Sequence, residues 1–216
     1  MSLVGSNALA GASGQAAGGG YEIERSLRFN SEDSAHLSRT FSSAGNQKKW
    51  TWSGWVKRSS GGSKHHLFAI HTANNDSGYF RLAFNNDNKL FAGLWSKSIL
   101  TTNAVFRDFS AWMHVVLVLD TANSTAADRI ILYVNGVRQS VTGSADDDTA
   151  YAINSAGLHN IGSQTNTSQY FDGYLAEIHF LDGIAASASD FGKPDDNGVW
   201  QPKEYSGSYG TNGFHL

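Results

Sequence analysis

Eight histidines, six tryptophans, five glutamates and no cysteine define the chemistry open to this chain of 216 residues. Without cysteine there is no disulfide, no thiolate metal site and no cysteine nucleophile. Serines and histidines are plentiful, but no G-x-S-x-G turn presents a serine for attack. Neither a P-loop nor a G-x-G-x-x-G follows a strand-like run. Glu177 and Asp172 lie five positions apart. A regular strand sends such a pair to opposite faces, away from any shared acid and nucleophile work. His65, His66 and His71 cluster. His65 and His71 share strand parity, a spacing that offers two imidazoles to one metal ion. The plainer reading, a solvated loop and strand edge, is preferred. His114, between Trp112 and Val116, reads as a partly buried histidine with a hydrogen-bond partner.

Binding chemistry is easier to find. Aromatic faces and side-chain amides together suit a ligand rich in hydroxyls and C–H surface. The loop "SQTNTSQYF" (Ser163–Phe171) offers Asn166, Gln169 and Tyr170. Asn75 sits in a polar turn before Tyr79, and Trp95 ends the run "KLFAGLW". The competing reading of each is a polar loop with one anchoring aromatic.

The elements that must carry these residues are strands. "WTWSGWVKR" (Trp50–Arg58) alternates Trp50, Trp52, Gly54 and Val56 against Thr51, Ser53, Trp55 and Lys57, a period of two. "HLFAIHT", "YFRLAF" and "KLFAGLW" follow, joined by "ANNDSG" and "NNDN", which are dense in turn formers. "AWMHVVLVLD" (Ala111–Asp120) is apolar on both faces and predicts a central, doubly covered strand. "IILYVNGVRQS" (Ile130–Ser140) predicts a hairpin, because Asn135 and Gly136 both accept the positive φ of a type I′ turn. In Tyr170–Gly183, alternation groups Ala176, Ile178 and Phe180 on one face and Leu175, Glu177 and His179 on the other. The one helical signal is a turn capped by Ser187 or Ser189. Both prolines fall beyond residue 190. Ten to twelve short strands of this kind, about 8–15 residues apart, predict an all-β antiparallel sandwich or jelly roll.

Composition agrees. Hydrophobic residues make up 40% and charged residues 16%, with a net charge of −3. That excludes global disorder and leaves no basic stripe for nucleic acid. No apolar run reaches the length of a membrane span. Met1–Gly20 is a Gly/Ala/Ser tract with no charged side chain, and it lacks the layout of a secretory signal. It reads either as a flexible tail or as an arm that docks on a neighbouring subunit. The remainder, 21–216, reads as one domain with its core at about 26–183 and a C-terminal extension over 184–216.

Five pieces in order carry a family resemblance: "SLRFNSEDSAHLSR", "WTWSGWVKR", "WMHVVLVLD" with "RIILYVNGVRQ", "HNIGS", and "FDGYLAEIHFLDG". Together they resemble the laminin-G-like branch of the concanavalin A-like lectin jelly rolls. That fold also hosts glucanases, whose E-x-D-x-x-E arrangement is absent here. None of Glu22, Glu24, Glu32, Glu177 and Glu204 sits in it. Without that spacing the chain is expected not to be an enzyme. The resemblance implies a possible rim calcium ion, for which Asp120 and Asp128, flanking one excursion between two core strands, are the best candidates. No other cofactor is expected.

The Gly-rich start, "YEIERSLRFNSEDSAHLSRT" and the ending "WQPKEYSGSYGTNGFHL" also resemble virion proteins of tailed bacteriophages, many from marine hosts. This implies a structural protein of a tail fibre or other appendage, located in the virion. It would be joined to other virion proteins through residues 1–20 and assembled as a homo-oligomer, a trimer by analogy. Its rim loops would meet host-surface glycan or a neighbouring subunit. The alternatives are a purely structural adaptor or decoration protein, and an exported bacterial glycan-binding module or glucanase.

Overall fold

The computed structural model describes residues 20–164 and 169–216. The arm call over residues 1–20, apart from Gly20, and the candidate Asn166 therefore lie outside the described residues.

In chain order the described strands begin with β1 (Leu27–Phe29), β2 (Leu37–Phe41), β3 (Lys49–Arg58) and β4 (His65–His71). They continue with β5 (Tyr79–Phe84), β6 (Leu90–Gly93), β7 (Ser98–Thr102) and β8 (Met113–Asp120). Then come β9 (Ile130–Val134), β10 (Val137–Arg138), β11 (Val141–Thr142), β12 (Gly157–Ile161) and β13 (Gly173–Asp182). The last are β14 (Gly192–Pro194), β15 (Trp200–Pro202) and β16 (Phe214–His215). All pairings are antiparallel.

The first sheet runs β1-β13-β3-β8-β9-β10, with β16 also on β13, and the second runs β11-β7-β6-β5-β4-β12-β2. Their inner faces meet over one core in which Trp50, Trp52, Phe68, Phe80, Phe84 and Phe180 are among the bulkiest fillers. The expected hairpin is present: Asn135 has φ +48°, Gly136 +76°, and Val134 pairs with Val137. β8 is the expected central strand, covered on both faces.

The outer cover of β3 and β8 comes from the C-terminal segment. Ala186, Ala188, Phe191, Trp200, Tyr205 and Tyr209 pack on Val116, Val118 and Leu181, a second apolar layer outside the first sheet. A short 3-10 turn at Ala188–Asp190 enters this layer, with Ser187 as its cap in a reciprocal box with Asp190.

Two β-bulges overturn the simple parity reading. In β4 His66 pairs with Ala83 but Phe68 with Leu82, so Leu67 is one residue extra. In β13 the register jumps between Ala176 and His179, with Glu177 at φ +48°. Each extra residue reverses which face the following side chains take. Leu175 therefore shares the core with Ile178 and Phe180, while Ala176 stays outside it. The β13 bulge also divides that strand's free edge. β1 pairs with Gly173–Leu175, and β16 pairs with His179 and Phe180.

Candidate ligand-binding face

The β4 bulge separates the clustered histidines. His65 lies opposite core residue Phe84 and packs edge-on to Phe171, whereas His71 lies opposite Tyr79 and ends the outer face. They share parity but not a face, so the two-imidazole site read from their spacing does not form. His65 and His66 are also buried, at 1% and 0% exposure, not solvated as expected.

His66 looks outward on the second sheet. Its Nδ1 lies 3.2 Å from the Gln169 carbonyl, an acceptor only, so Nδ1 carries the proton and Nε2 presents a lone pair. That Nε2 is buried and unpartnered. Burial first, and then the Arg81 charge, push the ring's pKa down to about 3, so it stays a neutral acceptor.

Arg81 occupies the middle of the same face. It pairs with Ala69 on β4 and Gly93 on β6, two small residues that are themselves buried. Its guanidinium lies over the rings of Tyr79 and Phe91, at 5.0 and 5.2 Å, and donates to the Tyr79 hydroxyl at 3.0 Å. Its Nε is buried with no partner. A Cβ added at Gly93 would stand 3.4 Å from that nitrogen, so glycine keeps the approach open. Among the described residues no carboxylate forms an ion pair with Arg81. Indeed none of the seven strands of this sheet contains Asp or Glu.

Trp95 closes one end. It falls in the β6–β7 turn beyond the strand, 44% exposed, with its ring 5.5 Å from His71 and 5.7 Å from Tyr79. Asp76 pins this turn by accepting from the Ser96 N–H at 2.7 Å and its hydroxyl at 2.6 Å. Asn75 sits in the adjoining β4–β5 turn, where its Oδ1 accepts from the Gly78 N–H and the Ser77 hydroxyl. Gln169 and Tyr170 lie at the other end, Gln169 on His66 and the Tyr170 ring 5.9 Å from His36. The sequence candidates thus fall at opposite ends of β4, roughly 16 Å apart by strand rise. Arg81 and His66 lie between them. Arg81 was not singled out from sequence. Its only signal was an arginine at an outward position of the otherwise apolar "YFRLAF".

The calcium candidates Asp120 and Asp128 do share one shallow concavity, together with Asn123, outside the first sheet. Each already holds a cation: Asp120 to Lys49 at 2.9 Å and Asp128 to Arg138 at 2.7 Å. A calcium ion there would have to displace both. His114 is fully buried, with partners described below.

Two antiparallel sheets stacked face to face over one core define a jelly-roll sandwich. A model of the concanavalin A-like lectin/glucanases superfamily, of laminin-G type, matches residues 29–190, and the chain belongs to that superfamily. Among solved structures it is similar to the heptameric SAP-like pentraxin of Limulus polyphemus, with 19% identity, TM-score 0.51, and 70% of this chain and 71% of that one covered. It is also similar to a putative carbohydrate binding protein of Bacteroides ovatus, with 13% identity and TM-score 0.54. That match covers 77% of this chain and 45% of the other, less than half its length. A third similarity is to domain 4 of the extracellular arabinanase AbnA of Geobacillus stearothermophilus in complex with arabinotriose, at 16% identity and TM-score 0.50, covering 66% and 64%. At such identities the likeness is one of fold. No curated protein matches the chain.

Proposed function

We propose that the chain binds carbohydrate on the outer face of its second sheet, between Trp95 and Gln169, and performs no reaction on it. One observation carries this reading: a buried donor, Arg81 Nε, and a buried acceptor, His66 Nε2, both stand unpartnered on one sheet face. Unsatisfied buried polar atoms cost free energy unless a ligand or water completes them. A sugar supplies hydroxyls for both, and its C–H surface suits the Trp95 ring. Arg81 without an acidic neighbour favours a glycan that brings its own carboxylate. Glycoside hydrolysis by the common route needs two carboxylates flanking the bond. The strands of this sheet supply none.

The setting we infer is the virion of a tailed phage, on a tail fibre or other appendage. Support comes from the resemblance of the Gly-rich start and of "WQPKEYSGSYGTNGFHL" to such proteins. Residues 1–20 would dock on other virion proteins, and a trimer is the expected assembly. A density map of the virion that locates this chain and its neighbours tests the setting.

The binding reading is tested on an array of neutral and carboxylate-bearing oligosaccharides. Retention of acidic glycans by the native chain, and its loss in a folded Arg81→Gln variant, is the expected result. Unchanged retention by that variant would refute it.

A further inference from the structure

Outside the first sheet, away from the face just described, Glu177, His179 and His215 converge. We propose that these three side chains form a binding site for a divalent transition-metal ion, with Zn²⁺ as the best match.

Glu177 Oε2 lies 3.3 Å from His179 Nε2 and 3.0 Å from His215 Nε2. The three ligand atoms all fall within 4.8 Å of one another. Ligands about 2.1 Å from a tetrahedral ion stand about 3.4 Å apart. The observed spacings are therefore close to those an ion requires.

The backbone sets up this convergence. The bulge places Glu177 at φ +48°, a costly conformation for a residue with a Cβ. It puts Glu177 and His179 on the same side of β13, next to the β16 strand that delivers His215. The ladder between β13 and β16 pairs His179 with His215 directly. Their rings stack at 4.2 Å with planes 7° apart, and both Nε2 atoms meet one carboxylate oxygen.

The supporting groups are those a metal site needs. The Tyr209 hydroxyl lies 3.0 Å from His179 Nδ1, so with Nε2 on an ion the Nδ1–H donates to that oxygen and fixes the ring. The Tyr21 hydroxyl donates to Glu177. The His179 side chain is 4% exposed and that of Glu177 17%, while His215 is 41% exposed and can turn its lone pair toward an ion. The recess bordered by Tyr21, Trp55 and Lys203 is too tight for a water, so a fourth ligand has to come from solvent beside the exposed His215. Two imidazoles and one carboxylate suit Zn²⁺ and its transition-metal neighbours, whereas Ca²⁺ and Mg²⁺ take oxygen ligands. The ion would tie the short last strand to the middle of β13.

The test uses the untagged full chain, stripped with chelator and titrated with ZnCl₂ by calorimetry, with CaCl₂ as control. Expected are one Zn²⁺ per chain, a higher unfolding temperature with Zn²⁺ and none with Ca²⁺. The exposed His215→Ala should lower Zn²⁺ affinity at least tenfold and abolish the thermal shift, while its circular dichroism stays native. Glu177→Gln, which keeps the shape and removes the charge, should also weaken binding. Absence of Zn²⁺ uptake at millimolar concentration, or undiminished uptake by both variants, would overturn the proposal.

Discussion

The Trp200 indole N–H donates to Nδ1 of His114 at 3.1 Å, and the two rings stack with planes 18° apart. An indole can only donate, so His114 carries its proton on Nε2 and donates to the Ser53 hydroxyl oxygen at 2.8 Å. One imidazole thus joins the C-terminal segment to β8 and β3. Trp200 also lies over the hairpin at Gly136 and against Gly192, where a Cβ would drive into the indole.

Removing that ring should loosen the whole outer layer. Trp200→Ala is expected to cost about 3 kcal/mol, from lost burial and the orphaned His114 nitrogen. Gly136→Ala should act in the same direction, since φ is +76° there and the indole blocks the added methyl. Urea unfolding followed by tryptophan fluorescence measures both. Midpoints equal to that of the native chain would contradict the docking role.

Acid should unfold this protein early. Burial, the leading cause in each case, holds His66 and His114 at about 3, and His65 and His159 at about 4. Below about 6.5 the unfolded chain takes up a proton at each position and the native chain does not. Stability is therefore full above about 6.5 and falls as pH drops toward 4, by up to ~1.4 kcal/mol per pH unit for each histidine. Four such groups together cost up to about 14 kcal/mol across this window, comparable with a stability of about 5–15 kcal/mol. The expected midpoint of acid unfolding, read from near-ultraviolet circular dichroism, lies between about pH 4 and 5.5. A native spectrum at pH 3.5 would refute it.

Asp182 is buried among amides, and among the described residues it forms no ion pair. Its Oδ1 accepts from the Asn46 N–H at 2.8 Å and from Asn154 Nδ2 at 2.6 Å, and its Oδ2 from the Asn212 N–H at 3.1 Å. Asn212 Nδ2 in turn donates to Asn154 Oδ1 at 2.9 Å. Four segments distant in sequence meet at this carboxylate. Asp182→Ala should cost about 3–5 kcal/mol, because several buried donors lose their acceptor together. Chemical denaturation gives the value, and a cost below about 1 kcal/mol would show that the network is dispensable.

On the proposed sugar face, Gly93→Val should block ligand without unfolding the chain. Its β-branched side chain suits a strand, and its Cβ would stand 3.2 Å from the Phe91 ring and 3.4 Å from Arg81 Nε, so the ring has to yield by a few tenths of an ångström. Array binding should disappear while the thermal midpoint moves by no more than a few degrees. Retained binding would place the ligand elsewhere.

Much of the architecture could be read directly from residue order. Asn135 and Gly136 announced their hairpin because few residue pairs tolerate two positive φ values. The two-sided apolar pattern of Met113–Asp120 announced a covered strand, since only a doubly buried strand can afford it. Strand parity was read correctly wherever the ladder is regular. It failed after Leu67 and Glu177, because a bulge adds one residue through backbone geometry that alternation does not record. So the sequence by itself determined the two-sheet sandwich, its hairpin and its central strand, which follow from local backbone preference and burial pattern. The tertiary structure alone decided that Arg81 faces His66 unpaired, that Trp200 reaches His114 across 86 positions, and that Glu177 meets His215. Those meetings depend on register and on which segment covers which sheet, and such long-range packing leaves no periodic trace in the chain.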